Sequence, residues 1–137
     1  IGGNIRIIGT KPDGSGWLTG IKDPANPSSN YSAYLNLANT SCVTSGSYER
    51  FYSVDGKRYH HIIDGETCMP ADYFPSVTII TEDSGLADAL STALFCMSQE
   101  DGAALVASLD GVEALWVMAD GTVRMTDGMS ELITEHP

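Results

Sequence analysis

The sequence predicts an α+β fold in which an antiparallel β-sheet carries two consecutive helices. Three observations predict it. Short segments rich in β-branched and aromatic residues recur along the first half, each closed by a cluster of Gly, Pro, Asn or Asp. The β-branched run Val77-Thr78-Ile79-Ile80-Thr81 leads straight into the best helical periodicity in the chain. Asp120-Gly121 stands between two apolar runs and is the clearest hairpin signal present.

Taken in order, Ile5 to Gly9 reads as a short apolar strand, followed by the turn cluster Lys11-Pro12-Asp13-Gly14-Ser15-Gly16. Trp17 to Ile21 is a second strand, closed by Asp23-Pro24-Ala25-Asn26-Pro27, since proline cannot donate to a ladder. Tyr34 to Val43 alternates apolar positions at Leu35 and Leu37 and reads as one strand. Thr44-Ser45-Gly46-Ser47 reads as a hydroxyl-rich turn after it. Tyr48 to Val54 and Tyr59 to Ile63 form a hairpin across Asp55-Gly56. After the Val77–Thr81 strand, Ser84 is the expected N-cap, with Glu82 and Asp83 favourably placed near the positive helix end. Leu86, Leu90, Leu94 and Met97 then form an apolar stripe. A second helix runs from about Gln99 to Leu109 and stops at Asp110-Gly111. Val112 to Met118 and Thr122 to Met125 are the arms of the last hairpin.

A chain of 137 residues, 42% hydrophobic and 18% charged, has the size and composition of one globular domain. No run approaches the roughly 18 apolar residues of a membrane span, and no signal peptide is visible. The chain opens on Ile1-Gly2-Gly3, within what reads as a strand–turn element, so a longer parent protein is expected. Its formal charge is −11, and no Lys or Arg occurs between Tyr59 and Val123, a stretch with eleven acids. Such a surface repels nucleic acid and anionic lipid, so neither is an expected partner. A phosphate compound handled by the acidic half needs imported positive charge, most simply a metal ion. The three cysteines, Cys42, Cys68 and Cys96, make a poor disulfide framework, and there is no CxxC pair for structural zinc.

Three groups of residues have chemistry worth weighing. Asp88 and Thr92 sit one helical turn apart, away from the leucine stripe. A carboxylate and a hydroxyl so placed suit Mg²⁺, although on spacing alone a solvated polar face is the commoner outcome. His60 and His61 are adjacent, so on a strand they point to opposite faces and cannot chelate one metal together. One of them can serve as a general base; the alternative is a hydrogen-bonded histidine within a hairpin. The Thr44–Ser47 segment can hold a phosphate on its N–H groups and hydroxyls, or be a plain turn. Neither a Walker A pattern nor a GxGxxG fingerprint is present.

The ordered series Thr44-Ser45-Gly46-Ser47-Tyr48-Glu49-Arg50-Phe51, Gly56-Lys57-Arg58-Tyr59-His60-His61-Ile62-Ile63-Asp64, Ser76-Val77-Thr78-Ile79 and Ala87-Asp88-Ala89-Leu90-Ser91-Thr92-Ala93-Leu94 closely resembles the FAD:protein FMN transferases of the ApbE family. Gly2-Gly3-Asn4, Lys11-Pro12 and the Trp17–Pro24 stretch match as well. The resemblance covers nearly the whole chain but only the C-terminal part of the family's usual length. It therefore implies a single domain, residues 1–137, that is one portion of a larger two-part flavin transferase fold, with the N-terminal half of its own chain as a missing partner. One departure is local: the family's Asp-Pro-Arg-Thr-Gly is here Asp64-Gly65-Glu66-Thr67-Cys68, which puts a negative charge where Arg is usual.

The resemblance implies transfer of FMN from FAD to a Thr or Ser hydroxyl of a target flavoprotein, with release of AMP and dependence on Mg²⁺. It implies Asp88 and Thr92 as metal ligands and His61 as the catalytic histidine. Thr44, Ser45, Gly46, His61, Ile62 and Asp64 are implied to line the FAD site. Cys42, Cys96, His60 and His136 keep ordinary structural readings. The family setting implied is the bacterial cell envelope, lipid-anchored. Two alternatives remain at this point: an FAD pyrophosphatase giving FMN and AMP, and a non-catalytic FAD-binding or interaction module.

Overall fold

The computed structural model describes residues 3–28 and 30–135. Ile1 and Gly2 of the opening motif, and His136, lie outside the described residues. Along the chain come β1 (Asn4–Arg6), β2 (Trp17–Lys22), β3 (Tyr31–Leu37), β4 (Ser41–Gly46), β5 (Phe51–Val54), β6 (Lys57–His60), β7 (Ile63–Asp64), β8 (Met69–Pro70) and β9 (Ser76–Thr81). Helices α1 (Ser84–Phe95) and α2 (Gln99–Ala107) follow, then β10 (Glu113–Val117), β11 (Val123–Met125) and α3 (Asp127–Leu132). A five-stranded antiparallel sheet in the order β1-β4-β9-β10-β11 forms the centre, and β2–β3, β5–β6 and β7–β8 are separate two-stranded ribbons.

Both faces of that sheet are covered, and strand alternation sorts the residues between them. Val43, Val77, Ile79, Ala114 and Trp116 face α1 and α2, where they meet Ala87, Leu90, Leu94, Phe95 and Val106. Cys42, Ile80, Leu115 and Val117 face the other way, against Ile21, Leu35 and Leu37 of the β2–β3 ribbon and Met129 of α3. Being buried on both sides explains why β9 reads as a continuous β-branched run rather than an alternating one.

The structure departs from the sequence expectations at definite places. The expected single strand Tyr34–Val43 is two strands, β3 and β4, separated at residues 38–40, where Asn39 adopts φ +51°. Asparagine tolerates this left-handed conformation better than most residues, so the chain reverses there. The first strand ends at Arg6 rather than Gly9, and the Tyr48–Val54 strand begins only at Phe51. Thr44-Ser45-Gly46 is not a turn: it is the second half of β4, paired with Thr78, Val77 and Ser76 of β9. Helix α1 is capped by Asp83, not Ser84; the Asp83 carboxylate accepts the Gly85 N–H at 2.7 Å and the Leu86 N–H at 3.0 Å. Leu86 is exposed, and the buried face of α1 is Ala87, Leu90, Ser91, Leu94 and Phe95.

Helix α3 has no counterpart in the sequence reading. Its start is held from another strand: the Glu113 carboxylate of β10 accepts the Met129 N–H at 3.0 Å and the Thr126 hydroxyl proton. A Cβ at residue 128 would meet that carboxylate, so the absence of a side chain at Gly128 leaves Glu113 room to reach the helix start. Among the described residues, no helix is long and apolar enough to cross a membrane.

Candidate active site

Helix α1 is the element on which the separated motifs meet. From β4, the Ser45 hydroxyl lies 2.9 Å from the Ser91 hydroxyl. Ser91 in turn donates to the Asp88 carbonyl at 3.0 Å. Since that bond uses the Ser91 proton, Ser45 must donate to Ser91, which gives the relay Ser45 to Ser91 to the Asp88 carbonyl. Thr44 points to the opposite sheet face and shares a 2.8 Å hydrogen bond with Thr78. The sequence reading offered both hydroxyls to a phosphate; the structure engages both inside the sheet and its helix. Gly46 is buried, and a Cβ there would strike the Tyr48 ring.

The His60–Asp64 segment reaches the C-terminal half of the same helix. The His60 ring lies edge-on to Phe95 with centroids 5.5 Å apart. Ile62 is buried in the same core cluster as Leu90 and Leu94. The Cys96 thiol donates to the Ile63 carbonyl at 3.7 Å. This segment does not continue as one strand through Ile63: β6 ends at His60, and His61 occupies a bend before β7.

The two histidines differ in a way the chemistry can use. Buried His60 donates from Nε2 to the Ala71 carbonyl at 2.9 Å and accepts the Ile62 N–H at Nδ1, 3.3 Å away. Both its ring nitrogens are therefore occupied. Exposed His61 has Nδ1 3.3 Å from the Arg50 carbonyl, which can only accept, so Nδ1 carries the proton. That tautomer leaves the Nε2 lone pair directed away from the chain's own backbone partner, as a general base requires.

Asp64 is buried, and its carboxylate builds the following turn by accepting the Glu66 N–H at 2.9 Å and the Thr67 hydroxyl at 3.1 Å. The turn closes with the Cys68 N–H on the Asp64 carbonyl at 2.9 Å, and Cys68 takes φ +54°. Left-handed φ favours glycine, so a non-glycine residue there carries backbone strain. Asp64 also lines a cleft of about 860 Å³ together with His60, Lys57, Arg58, Tyr73 and Phe74.

Asp88 and Thr92 are both exposed on α1, and the Thr92 hydroxyl lies 3.4 Å from the Asp88 carbonyl. A carboxylate, a hydroxyl and main-chain oxygens are hard donors of the kind Mg²⁺ takes. Among the described residues, no group of three or more His, Cys, Asp or Glu side chains gathers to hold a metal. These two side chains offer two oxygen donors one turn apart on the exposed face of α1. The thiols are set apart from this chemistry. Burial pushes Cys42 up to about 12, and burial with the nearby Asp64 charge raises Cys96.

Comparison with known proteins bears directly on these motifs. The ApbE family profile matches residues 1–116. An FAD:protein FMN transferase from Treponema pallidum (strain Nichols) is 38% identical over 142 residues, an alignment that takes in 97% of this chain and 39% of the relative. One from Klebsiella pneumoniae (strain 342) is 36% identical over 118 residues, with 85% of this chain and 35% of the relative covered. Among solved structures, the ApbE protein of Thermotoga maritima MSB8 superposes with a TM-score of 0.87 at 40% identity, over 98% of this chain and 43% of that one. The apo form of the Pseudomonas stutzeri flavinyl transferase ApbE superposes at 0.74 with 31% identity, over 100% of this chain and 43% of that one. The chain thus spans about two fifths of the length of the relatives it matches.

Proposed function

This chain belongs to the ApbE family, and from that premise we propose that it supplies the His61 and Asp88/Thr92 portion of an FAD:protein FMN transferase. The observation that carries the reading is convergence. Three motifs far apart in sequence, Thr44–Gly46, His60–Asp64 and Ala87–Leu94, are joined on α1 by the Ser45–Ser91–Asp88 relay and the Cys96–Ile63 contact.

In the proposed reaction the hydroxyl oxygen of an acceptor Thr or Ser attacks the phosphorus of the FMN half of FAD. The bond to the AMP phosphate breaks, AMP leaves, and FMN remains as a phosphoester on the acceptor. His61 takes the hydroxyl proton at Nε2, and the Arg50 carbonyl stabilises the imidazolium through Nδ1–H. Asp88 and Thr92 would be among the groups that hold Mg²⁺, which would supply positive charge for the pyrophosphate oxygens. Ile62 and the Thr44-Ser45-Gly46 strand line the flavin nucleotide by shape and main chain, since the two hydroxyls are already engaged. Asp64 orders the Gly65–Cys68 turn at the edge of the site. The relatives are more than twice as long, so residues 1–137 alone are expected to transfer little or no flavin. The family resemblance points to the bacterial cell envelope as the setting.

The test is mass spectrometry of a candidate acceptor flavoprotein after incubation with FAD, Mg²⁺ and the longer polypeptide that carries these residues. A mass gain of one FMN, lost in His61→Ala and kept in His60→Gln, supports the reading. AMP released without any mass gain would make the protein a pyrophosphatase. No AMP at all would leave a non-catalytic module.

A further inference from the structure

The β5–β6 ribbon concentrates basic charge in an acidic chain. Residues 50–58 hold three bases, Arg50, Lys57 and Arg58, against the single acid Asp55, in a protein whose formal charge is −11. Among the described residues the one ion pair is Lys22 with Glu49, so none of these three bases has a carboxylate within bonding distance. Two of them rest on aromatic rings instead. The Arg58 guanidinium lies 4.2 Å from the Phe51 ring centre, and the Lys57 ammonium 5.4 Å from that of Tyr59. Tyr59 stacks on Tyr52 with centroids 5.4 Å apart. Phe51, Tyr52, Val54, Lys57 and Arg58 are all exposed.

We propose that this ribbon is a docking arm for an acidic polypeptide segment of the protein that receives the flavin. This rests on the transferase reading and names where its macromolecular substrate binds. Uncompensated cations held in place by aromatic rings lose little freedom when they meet carboxylates, and stacked tyrosines offer flat area beside them. The arm is continuous with the candidate site: β6 runs directly into His60 and His61. Lys57 and Arg58 also form the basic rim of the 860 Å³ cleft, whose wall includes Phe74, Met69 and Met118. Asp23, Asp64 and Asp72 lie on that cleft too, so attraction for carboxylates is confined to the ribbon edge. A segment with acids along one edge and apolar side chains along the other fits this distribution. A nucleic acid fits it poorly, because its many phosphates meet the acidic remainder of the chain.

The test is fluorescence anisotropy of a labelled, Glu-rich dodecapeptide containing one Thr, titrated with the 137-residue chain without FAD or Mg²⁺. A Lys-rich twin peptide and an oligothymidylate of equal length serve as comparisons. The expected result is salt-sensitive binding of the acidic peptide alone, weakened at least about tenfold in Lys57→Glu/Arg58→Glu. The same charge change in Lys11→Glu/Arg124→Glu should shift it less than about twofold. Equal weakening in both variants, or equal binding of the oligonucleotide, overturns the proposal. So does loss of binding in the longer polypeptide, which would mean that the rest of the protein covers the ribbon. Because no flavin is present, failure here leaves the transferase reading standing. Binding without flavin transfer in the mass-spectrometric assay would leave a ribbon that binds acidic peptide and overturn its assignment to a flavin acceptor.

Discussion

The hydroxyl relay that joins β4 to α1 can be dissected by a double-mutant cycle. Ser91 is 1% exposed, and its oxygen accepts from Ser45 at 2.9 Å while donating to the Asp88 carbonyl at 3.0 Å. Ser91→Ala removes a net contribution of about 1 kcal/mol and leaves the half-buried Ser45 hydroxyl without its acceptor. Alanine's better helix propensity returns about 0.5 kcal/mol, so the net cost is about 0.5–1.5 kcal/mol. Ser45→Ala loses the same bond without a helix gain and costs about 1 kcal/mol. The double variant is expected to cost about 1 kcal/mol less than the sum of the singles, because the shared bond is lost only once. Urea denaturation of the four proteins, analysed by linear extrapolation, reads the cycle. Additivity within about 0.4 kcal/mol would refute the relay. So would a Ser45→Ala variant of unchanged stability and sharply reduced FAD affinity, since that hydroxyl would then be serving a phosphate.

Four further outcomes are expected. In the folded protein a disulfide-exchange reagent at pH 8 should modify exposed Cys68 first, Cys96 slowly and Cys42 only after unfolding, as thiol counting with time will show. Because Cys42 is raised from 9.0 to about 12 in the fold, the unfolded chain releases that proton first as pH rises. Stability should therefore be intact below about pH 9 and fall above it, with Cys42 contributing up to about 1.4 kcal/mol per pH unit. Tyr48, which burial and the Glu49 charge raise from 10.0 to about 12, steepens the fall above about pH 10, so Cys42→Ala flattens the slope between about 9 and 10 and only lessens it beyond. Cys68→Gly, which relieves φ +54°, should raise the denaturation midpoint by the equivalent of about 1 kcal/mol. Asp88→Asn, on an exposed helix face, should leave stability within about 0.5 kcal/mol of the parent. In the longer polypeptide, titration calorimetry of the same variant should show Mg²⁺ affinity lowered at least about tenfold.

What could be read in the sequence follows from the range of the interactions involved. The β9–α1 passage was legible because a β-branched run and a leucine repeat are both local signals. The Asp120-Gly121 hairpin was legible for the same reason. Helix α3 was not, because its N-terminus is satisfied by Glu113 from another strand, a contact no local pattern encodes. The expected Thr44–Ser47 turn failed because small hydroxyl residues usually mark turns, whereas here Thr78 and Ser91 give those hydroxyls partners within the fold. The N-cap was displaced by one residue because Asp83, Ser84 and the acid at 82 offer competing caps, and only main-chain geometry chooses among them. At the candidate site, adjacency alone told that the two histidines diverge. Which one is free was fixed by the Ala71 and Arg50 carbonyls, which local sequence could not assign.

The neck of the 47–75 excursion has a consequence for how such proteins diversify. Strands β4 and β9 are hydrogen-bonded neighbours, yet the arm, both histidines and the Asp64 turn all lie between them. Where the excursion leaves and rejoins the sheet, the Ser47 N–H donates to the Pro75 carbonyl at 3.0 Å and the Ser47 hydroxyl at 3.3 Å. Its ends are thus already closed by the ladder, so changes in length within it add little to the entropy of joining them. Ile62, Ala71 and Phe74 are the studs by which it is fastened to the core. Provided those three, the His60–Asp64 segment and the neck are kept, the β5–β6 part of the excursion can be exchanged as a cassette, acquiring a new recognition arm while the sheet beneath it stays unaltered.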